Sequence, residues 1–203
     1  IGNYCKILGI DTYEVAEGVG YDKRIGVHFL NAGIGFGGSC LPKDANALIK
    51  SAKKNNYNLG ILESVMKLNE KQPLRIIELL EKKIKIKDKK ITILGLSFKA
   101  DTDDIRNAPS IEIIRSLLDR GANVVAYDPK SMDKMKNMFK NVQYAENVKS
   151  ALAGSDACLL LTEWSEFKKL TDKDFAFMKN KIIIEGRRIL DKNKIRNFEG
   201  VCW

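Results

Sequence analysis

Apolar residues recur at helical spacing through residues 1–87 of this 203-residue chain. The pattern predicts helices over residues 1–8, 11–16, 43–54 and 61–83. Asp11 or Thr12 is suited to cap the second helix, and Pro73 is expected to divide the last one because proline has no N–H to donate. A glycine-rich loop separates the second helix from the third.

From residue 88 onward, short apolar runs typical of strands alternate with helical segments. Strands are predicted over 90–96, 123–128, 142–145, 156–162 and 181–186, the last of them being the last clear strand. Helices are predicted over 109–120, 131–139 and 146–153, with helical pieces within 164–178. Short connections between such elements predict a Rossmann-like, doubly wound parallel sheet. The expected fold class is therefore α/β, with a helical dimerisation segment at 1–87 and a sheet domain at 88–203.

The glycine loop and the residues after it, 31–44, read N-A-G-I-G-F-G-G-S-C-L-P-K-D and have two interpretations. Gly33, Gly35 and Gly38 fit the G-x-G-x-x-G spacing of a dinucleotide-binding turn, which requires a buried strand before it. The preceding residues R-I-G-V-H-F-L-N make a poor strand, so the match is interpreted as accidental. The second interpretation is that the loop presents Cys40.

Cys40 has neighbours that suit a nucleophile. Pro42 favours the start of a helix, which places Cys40 just before a helix N-terminus. The helix dipole and the charge of Lys43 both favour a thiolate at that point. Asp44, four residues after Cys40, is placed to take a proton or polarise a water beside the sulfur. A buried cysteine that only fills space is the alternative interpretation.

The chain carries a formal net charge of +9. The densest basic run, residues 81–90, is interpreted as a solvated helix end and linker rather than a nucleic-acid patch. A small phosphate-bearing ligand would also suit the charge.

No apolar run reaches the length of a membrane span, and no two cysteines form a C-x-x-C pair. We therefore expect no membrane span and no metal site, and a reducing compartment, the cytoplasm, fits the cysteines best.

Several segments resemble, in order, the UDP-glucose/GDP-mannose dehydrogenase family over essentially the whole chain. They are I-G-V-H-F-L-N-A-G-I-G-F-G-G-S-C-L-P-K-D, I-L-G-L-S-F-K-A-D-T-D-D-I-R-N-A-P-S, A-Y-D-P, L-L-T-E-W-S-E-F and E-G-R-R-I-L. The resemblance implies oxidation of the C6 alcohol of a nucleotide sugar to a carboxylate with two NAD. It also implies that Cys40 forms a thiohemiacetal and then a thioester, assisted by Asp44. The T-E-W-S-E-F and G-R-R segments favour the UDP-glucose branch, with the GDP-mannose and UDP-N-acetylhexosamine branches as alternatives.

The same resemblance assigns binding roles to other residues. Lys43 and Arg106 would lie near the NAD, and Arg24 would reach the ligand of a neighbouring subunit, which implies a homodimer. Arg187 matches an arginine in a D-G-R segment whose first residue is Glu185 here. The residues implied to contact the UDP-sugar are Arg24, Phe29, Leu30, Asn31, Ala32, Gly33, Phe36, Gly37, Phe98, Lys99 and Arg187.

Members of this family also have an N-terminal Rossmann domain that binds NAD, and no segment of this chain resembles it. The chain is therefore expected to be the second half of such an enzyme, comprising the end of the central dimerisation region and the UDP-binding domain. A module without catalytic activity, which binds a nucleotide sugar or only dimerises, is the alternative from a different functional class. His28, the one histidine, is expected to be structural or exposed.

Overall fold

The computed structural model describes residues 1–203. Five helices occupy the first part of the chain: α1 Gly2–Leu8, α2 Thr12–Gly20, α3 Leu41–Lys54, α4 Gly60–Lys71 and α5 Leu74–Glu81. As predicted, Asp11 caps α2 by accepting a hydrogen bond from the Tyr13 N–H (2.9 Å), and Pro73 separates α4 from α5. The prediction that α2 stops at Ala16 was wrong, because Gly18 weakens a helix by only about 1 kcal/mol and does not end it.

The rest of the chain forms a six-stranded sheet with helices between the strands. The strands are β1 Lys90–Leu94, β2 Asn123–Tyr127, β3 Gln143–Tyr144, β4 Ala157–Leu160, β5 Ile182–Glu185 and β6 Phe198–Gly200. The helices are α6 Pro109–Asp119, α7 Met132–Met138 and α8 Val148–Leu152, with 3₁₀ turns at Phe167–Lys169 and Asp174–Phe177. The order β3-β2-β1-β4-β5-β6, with every pairing parallel, confirms the predicted doubly wound sheet.

β6 is the strand that the apolar pattern did not predict. Its sequence, F-E-G, has no apolar run, so β6 lies beyond 181–186, which was predicted as the last clear strand. β6 forms because Phe198 aligns with Ile183 of β5, and the Val201 N–H donates to the Glu185 carbonyl (3.1 Å). Backbone pairing with a neighbouring strand therefore defines this edge of the sheet.

α5 packs against α6 and β5. Its Ile76, Ile77 and Leu80 are fully buried in one apolar cluster with Ile91 and Ile93 of β1. The hydrophobic core therefore extends across residue 87, and the domain boundary at 87/88 stays a prediction. No helix is both long enough and apolar enough to cross a membrane.

Asp128 ties together the loops at the carboxyl edge of the sheet. Its fully buried carboxylate accepts hydrogen bonds from the Leu96 N–H (2.7 Å), the Ser131 N–H (2.9 Å) and the Trp164 indole N–H (3.1 Å). Burial acts to raise the pKa of Asp128, but the backbone hydrogen bonds, led by the one from Leu96, outweigh it and hold the pKa below its usual value. The ionised carboxylate therefore holds the segments that follow β1, β2 and β4 together.

Candidate active site

The candidate site lies at the carboxyl edge of the sheet, where the segments after β1 and β5 meet the glycine loop. Doubly wound sheets bind their ligands at this edge. No strand precedes the glycine loop, which agrees with the interpretation of G-x-G-x-x-G as accidental. The loop is buried at Gly37 and Gly38 and reaches the surface at Cys40.

The glycine loop docks on the segment after β1 through close backbone contacts. The Gly38 N–H donates to the Arg106 carbonyl (2.8 Å), and Asn107 Nδ2 donates to the Gly38 carbonyl (3.0 Å). Gly38 has a φ of 87°, and the Phe98 ring occupies the space that a side chain would need. A Cβ at Gly37 would overlap the Asn107 carbonyl. These two glycines therefore permit close packing between the two parts of the chain.

Gly37→Ala is expected to lower the free energy of unfolding by about 1–3 kcal/mol, because the added methyl group overlaps a backbone carbonyl. Urea unfolding measures this effect. Gly18→Ala is the control, since nothing lies within 4 Å of the added methyl in α2, and it should be neutral or stabilising. Equal stability of the two variants would contradict the close docking of the loop.

Cys40 is exposed at the start of α3, as predicted. It caps this 14-residue helix, and its carbonyl accepts the Asp44 N–H (2.8 Å). The Ser39 hydroxyl lies 3.6 Å from its sulfur. Lys43 and Asp44 are also exposed and pair with each other, with Nζ and Oδ1 3.4 Å apart. The thiol is therefore open to a substrate at the positive end of a helix dipole.

Arg106 is held on the glycine loop two residues before Cys40, because its carbonyl accepts the Gly38 N–H (2.8 Å). Its guanidinium forms two parallel hydrogen bonds with Asp104, from Nε to Oδ1 (3.0 Å) and from Nη2 to Oδ2 (2.7 Å). These bonds lower the pKa of Asp104 to about 2 and are the main cause of the raised pKa of Arg106. Asp103 pairs with Lys134 instead. Arg106 therefore forms an ion pair with Asp104 on the segment that docks against the glycine loop.

A cavity of about 510 Å³ opens beside the glycine loop. Its lining includes six of the predicted substrate residues: Phe29, Asn31, Ala32, Gly33, Phe36 and Arg187. Arg187 Nη2 donates to the Gly35 carbonyl (2.7 Å), and its Nε lies 3.8 Å from a carboxylate oxygen of Glu163. The structure thus brings these predicted residues together, but Cys40 is not part of the lining.

The other predicted substrate residues lie outside this cavity. Lys99 is exposed after β1, with Nζ 5.6 Å from the centre of the Phe98 ring. Gly37 faces Asn107, and Leu30 is half-buried. Arg24 is exposed and forms an ion pair with Asp22 (2.6 Å). Lys99 and Phe98 therefore approach the loop from the sheet, whereas Arg24 points to solvent.

Sequence reasoning missed three polar residues that line the same cavity: Asn3, Asn69 and Gln72. Gln72 Nε2 donates to the Gly33 carbonyl (2.8 Å), and its amide exchanges two hydrogen bonds with that of Asn3 (2.8 and 3.1 Å). The sequence held one indication of two of these residues: Asn69 and Gln72 lie three residues apart, which places them on one face at the end of a helix. His28 also lines the cavity and is exposed, as expected.

Glu185, which replaces the aspartate implied by the resemblance, is fully buried at the end of β5. Its carboxylate accepts hydrogen bonds from the Leu190 N–H (2.9 Å) and the Trp203 indole N–H (2.8 Å). Burial is the largest influence on this group and raises its pKa. The longer side chain of Glu185 is therefore hydrogen-bonded within the chain. Arg187 still donates to the glycine loop at Gly35.

The sheet does not provide a dinucleotide-binding turn. After β1, Gly95 is followed by Leu96, Ser97 and Phe98 rather than by further glycines. In a dinucleotide-binding sheet an acid near the end of β2 binds the ribose. Here Asp128 occupies that place, but its carboxylate is buried and bound to backbone N–H groups. The residues of this sheet therefore do not fit NAD.

Comparison with known proteins gives matches over nearly the whole chain. Residues 1–71 match the central domain of the UDP-glucose/GDP-mannose dehydrogenase family, and residues 92–192 match its UDP-binding domain. UDP-glucose 6-dehydrogenase AglM of Haloferax volcanii is 42% identical over 99% of this chain and 46% of its own. UDP-glucose 6-dehydrogenase TuaD of Bacillus subtilis is 42% identical over 97% of this chain and 43% of its own.

A solved UDP-glucose dehydrogenase from Pyrobaculum islandicum has the same fold. It superposes with a TM-score of 0.90 and 36% identity, covering 100% of this chain and 46% of that one. The chain thus spans about half the length of the relatives that it matches. Both family models, the identities and the shared fold agree, and the chain belongs to the UDP-glucose/GDP-mannose dehydrogenase family.

Proposed function

We propose that this chain supplies the thiol and the nucleotide-sugar site of an NAD-dependent UDP-glucose 6-dehydrogenase, which oxidises UDP-glucose to UDP-glucuronate. The observation that carries the proposal is an exposed cysteine on a close-packed glycine loop at the carboxyl edge of a parallel sheet. Covalent capture of an aldehyde needs such an accessible thiol in a fixed position. UDP-glucose is favoured over GDP-mannose and UDP-N-acetylhexosamines because the relatives described above are UDP-glucose dehydrogenases.

In this proposal Cys40 acts on the product of the first oxidation. Its sulfur adds to the C6 aldehyde and forms a thiohemiacetal. Loss of a hydride from that carbon gives a thioester, which water cleaves to the carboxylate and the free thiol. Asp44, one turn along α3, takes and returns the proton beside the sulfur. The covalent bond keeps the reactive aldehyde on the enzyme between the two oxidations.

NAD, when bound, would supply the hydride acceptor for both oxidations. Because the sheet of this chain does not fit a dinucleotide, we assign NAD binding to the part of the relatives that this chain does not match. Lys43 and Arg106 are exposed cations near Cys40 and are the residues of this chain that we assign to the cofactor side. Turnover is therefore tested in a chimera of this chain with the unmatched part of the Haloferax volcanii relative, called the joined enzyme below.

The diphosphate and uridine require cations and apolar faces at the same edge. We assign Lys99, which follows β1, and Arg187, which follows β5, to the diphosphate. Phe29 is 94% exposed, and Phe36 lines the cavity, so both offer an aromatic face to the uracil or sugar ring. The net charge of +9 favours an anionic ligand of this kind.

A titration of this chain with UDP-glucose, followed by calorimetry, tests the proposed site. We expect UDP to compete for it, and GDP and GDP-mannose to bind far more weakly. Lys99→Ala and Arg187→Ala should each weaken binding about tenfold or more, because a hydrogen bond to a charged group contributes about 1.5–3 kcal/mol.

Lys179→Ala is the matched control for that titration. Lys179 is an exposed lysine that precedes β5, at the opposite edge of the sheet, so its loss should leave the affinity unchanged. Preference for GDP compounds would move the proposal to GDP-mannose, and preference for UDP-N-acetylglucosamine would move it to the N-acetylated sugars. Failure to bind any nucleotide sugar would contradict a site formed by this chain and would favour dimerisation as its role.

We also propose a homodimer in the reducing cytoplasm. Large apolar side chains on α1 and α4 are exposed, among them Tyr4, Ile7, Ile61 and Leu68. Exposed apolar surface of this kind is typical of protein–protein contacts. Arg24, which is exposed, is available to the ligand of a second subunit. All four cysteines are free thiols, the form that a reducing compartment maintains.

A further inference from the structure

Asn69 of α4 holds the backbone of Phe36 in the glycine loop. The Phe36 N–H donates to Asn69 Oδ1 (2.8 Å), and Asn69 Nδ2 donates to the Phe36 carbonyl (2.9 Å). The side-chain amide therefore pairs with this residue as the backbone of a neighbouring strand would. Because peptide units are planar, fixing the N–H and the carbonyl of one residue fixes the orientation of the peptide units on both sides of it.

Gly35 makes this close approach possible. It has a φ of 97°, and a Cβ there would lie 2.8 Å from Asn69 Oδ1. The Gly35 carbonyl in turn accepts a hydrogen bond from Arg187 Nη2 (2.7 Å). The loop is thus attached to α4 at Phe36 and to the segment after β1 at Gly38, and Cys40 follows two residues after the second attachment.

We propose that Asn69 is a positioning residue for Cys40, which sets where the thiol meets the aldehyde without touching the reacting atoms. This inference rests on the proposed function. It predicts a larger defect in the second stage of the reaction than in the first. Oxidation of the alcohol to the aldehyde, with a hydride passing to NAD, does not use the thiol, whereas acid formation does. A loop that is released at Phe36 should therefore let the aldehyde leave before Cys40 adds to it.

Two substitutions in the joined enzyme test this inference. Asn69→Asp keeps an acceptor for the Phe36 N–H but has no donor for the Phe36 carbonyl, and Asn69→Ala removes both bonds. We expect kcat for acid formation to fall about 10- to 100-fold, because displacing a reacting group by about 1 Å can cost that much. The ratio of NADH to acid should rise above two, and hydroxylamine should trap the missing product as an aldehyde adduct.

The ratio of NADH to acid separates positioning from folding, because loss of folded protein lowers both products in proportion. Asn55→Asp is the matched control: Asn55 Nδ2 donates to the Ser51 carbonyl (2.8 Å) at the exposed end of α3, away from the loop. It should leave the rate and the ratio unchanged. An unchanged ratio in both Asn69 variants, whether or not the rate falls, would overturn the inference. Absence of acid from the unsubstituted joined enzyme would instead overturn the proposed function.

Discussion

Replacement of Cys40 by alanine or serine is expected to stop acid formation in the joined enzyme, with a loss of at least about 10³-fold in kcat. Alanine cannot add to the aldehyde, and serine is a much weaker nucleophile than a thiolate. The alcohol oxidation does not need the thiol, so aldehyde should be released in place of the acid. Chromatography of the sugar nucleotides, with hydroxylamine as the aldehyde trap, measures both products.

Cys158→Ala is the control for removing a thiol. Cys158 is fully buried in β4, and burial raises the pKa of its thiol, so it is not a nucleophile at neutral pH. Its loss should reduce stability modestly and leave the ratio of acid to aldehyde unchanged. Ordinary acid formation by Cys40→Ala would contradict covalent capture. The exposed thiol of Cys40 would then have no role in the chemistry.

Asp128→Asn is expected to lower the free energy of unfolding by about 3 kcal/mol, because buried donors lose a charged acceptor. One carboxylate oxygen accepts the Leu96 and Trp164 N–H groups, and the other accepts those of Lys130 and Ser131. Asparagine has only one side-chain oxygen. Its NH₂ group must therefore face one of these two pairs of N–H donors, which then have no acceptor. At about 2–4 °C per kcal/mol for a chain of this size, the melting temperature should fall by about 6–12 °C.

The loss of stability caused by Asp128→Asn should depend on pH. Folding lowers the pKa of Asp128 below its unfolded value of about 4, so the unfolded state binds more protons there than the folded state does. The stability that the carboxylate contributes is therefore present above about pH 4 and is lost as the pH falls through the lower, folded pKa. Melting temperatures of the two proteins should differ at about pH 7 and converge as the pH falls through the folded pKa.

Asp133→Asn is the matched control for both measurements. Its side chain is 94% exposed on α7, so the same chemical change should alter the free energy of unfolding by less than about 0.5 kcal/mol. If the deficit of Asp128→Asn persisted unchanged at low pH, the hydrogen bonds would not depend on an ionised carboxylate.

Local rules account for the parts of the site that the sequence could predict. The position of Cys40 at the start of α3 follows from Pro42 and the helical pattern after it, all within a few residues. The pairing of Arg106 with Asp104 is equally local, since the two residues are two positions apart. Asn69 was missed because its partner, Phe36, lies 33 residues earlier, and no local rule pairs a helix amide with a distant peptide group.

The sequence by itself determined the α/β class, the parallel sheet and the cysteine on its glycine loop, because apolar periodicity, proline and glycine act over a few residues. Only the tertiary structure decided that β6 completes the sheet, that α5 joins its core and that Gly37 and Gly38 pack on the segment after β1. It alone placed Asn69 and Arg187 against the backbone of the loop. These contacts join residues far apart in the chain, and their geometry exists only once the sheet and helices have packed.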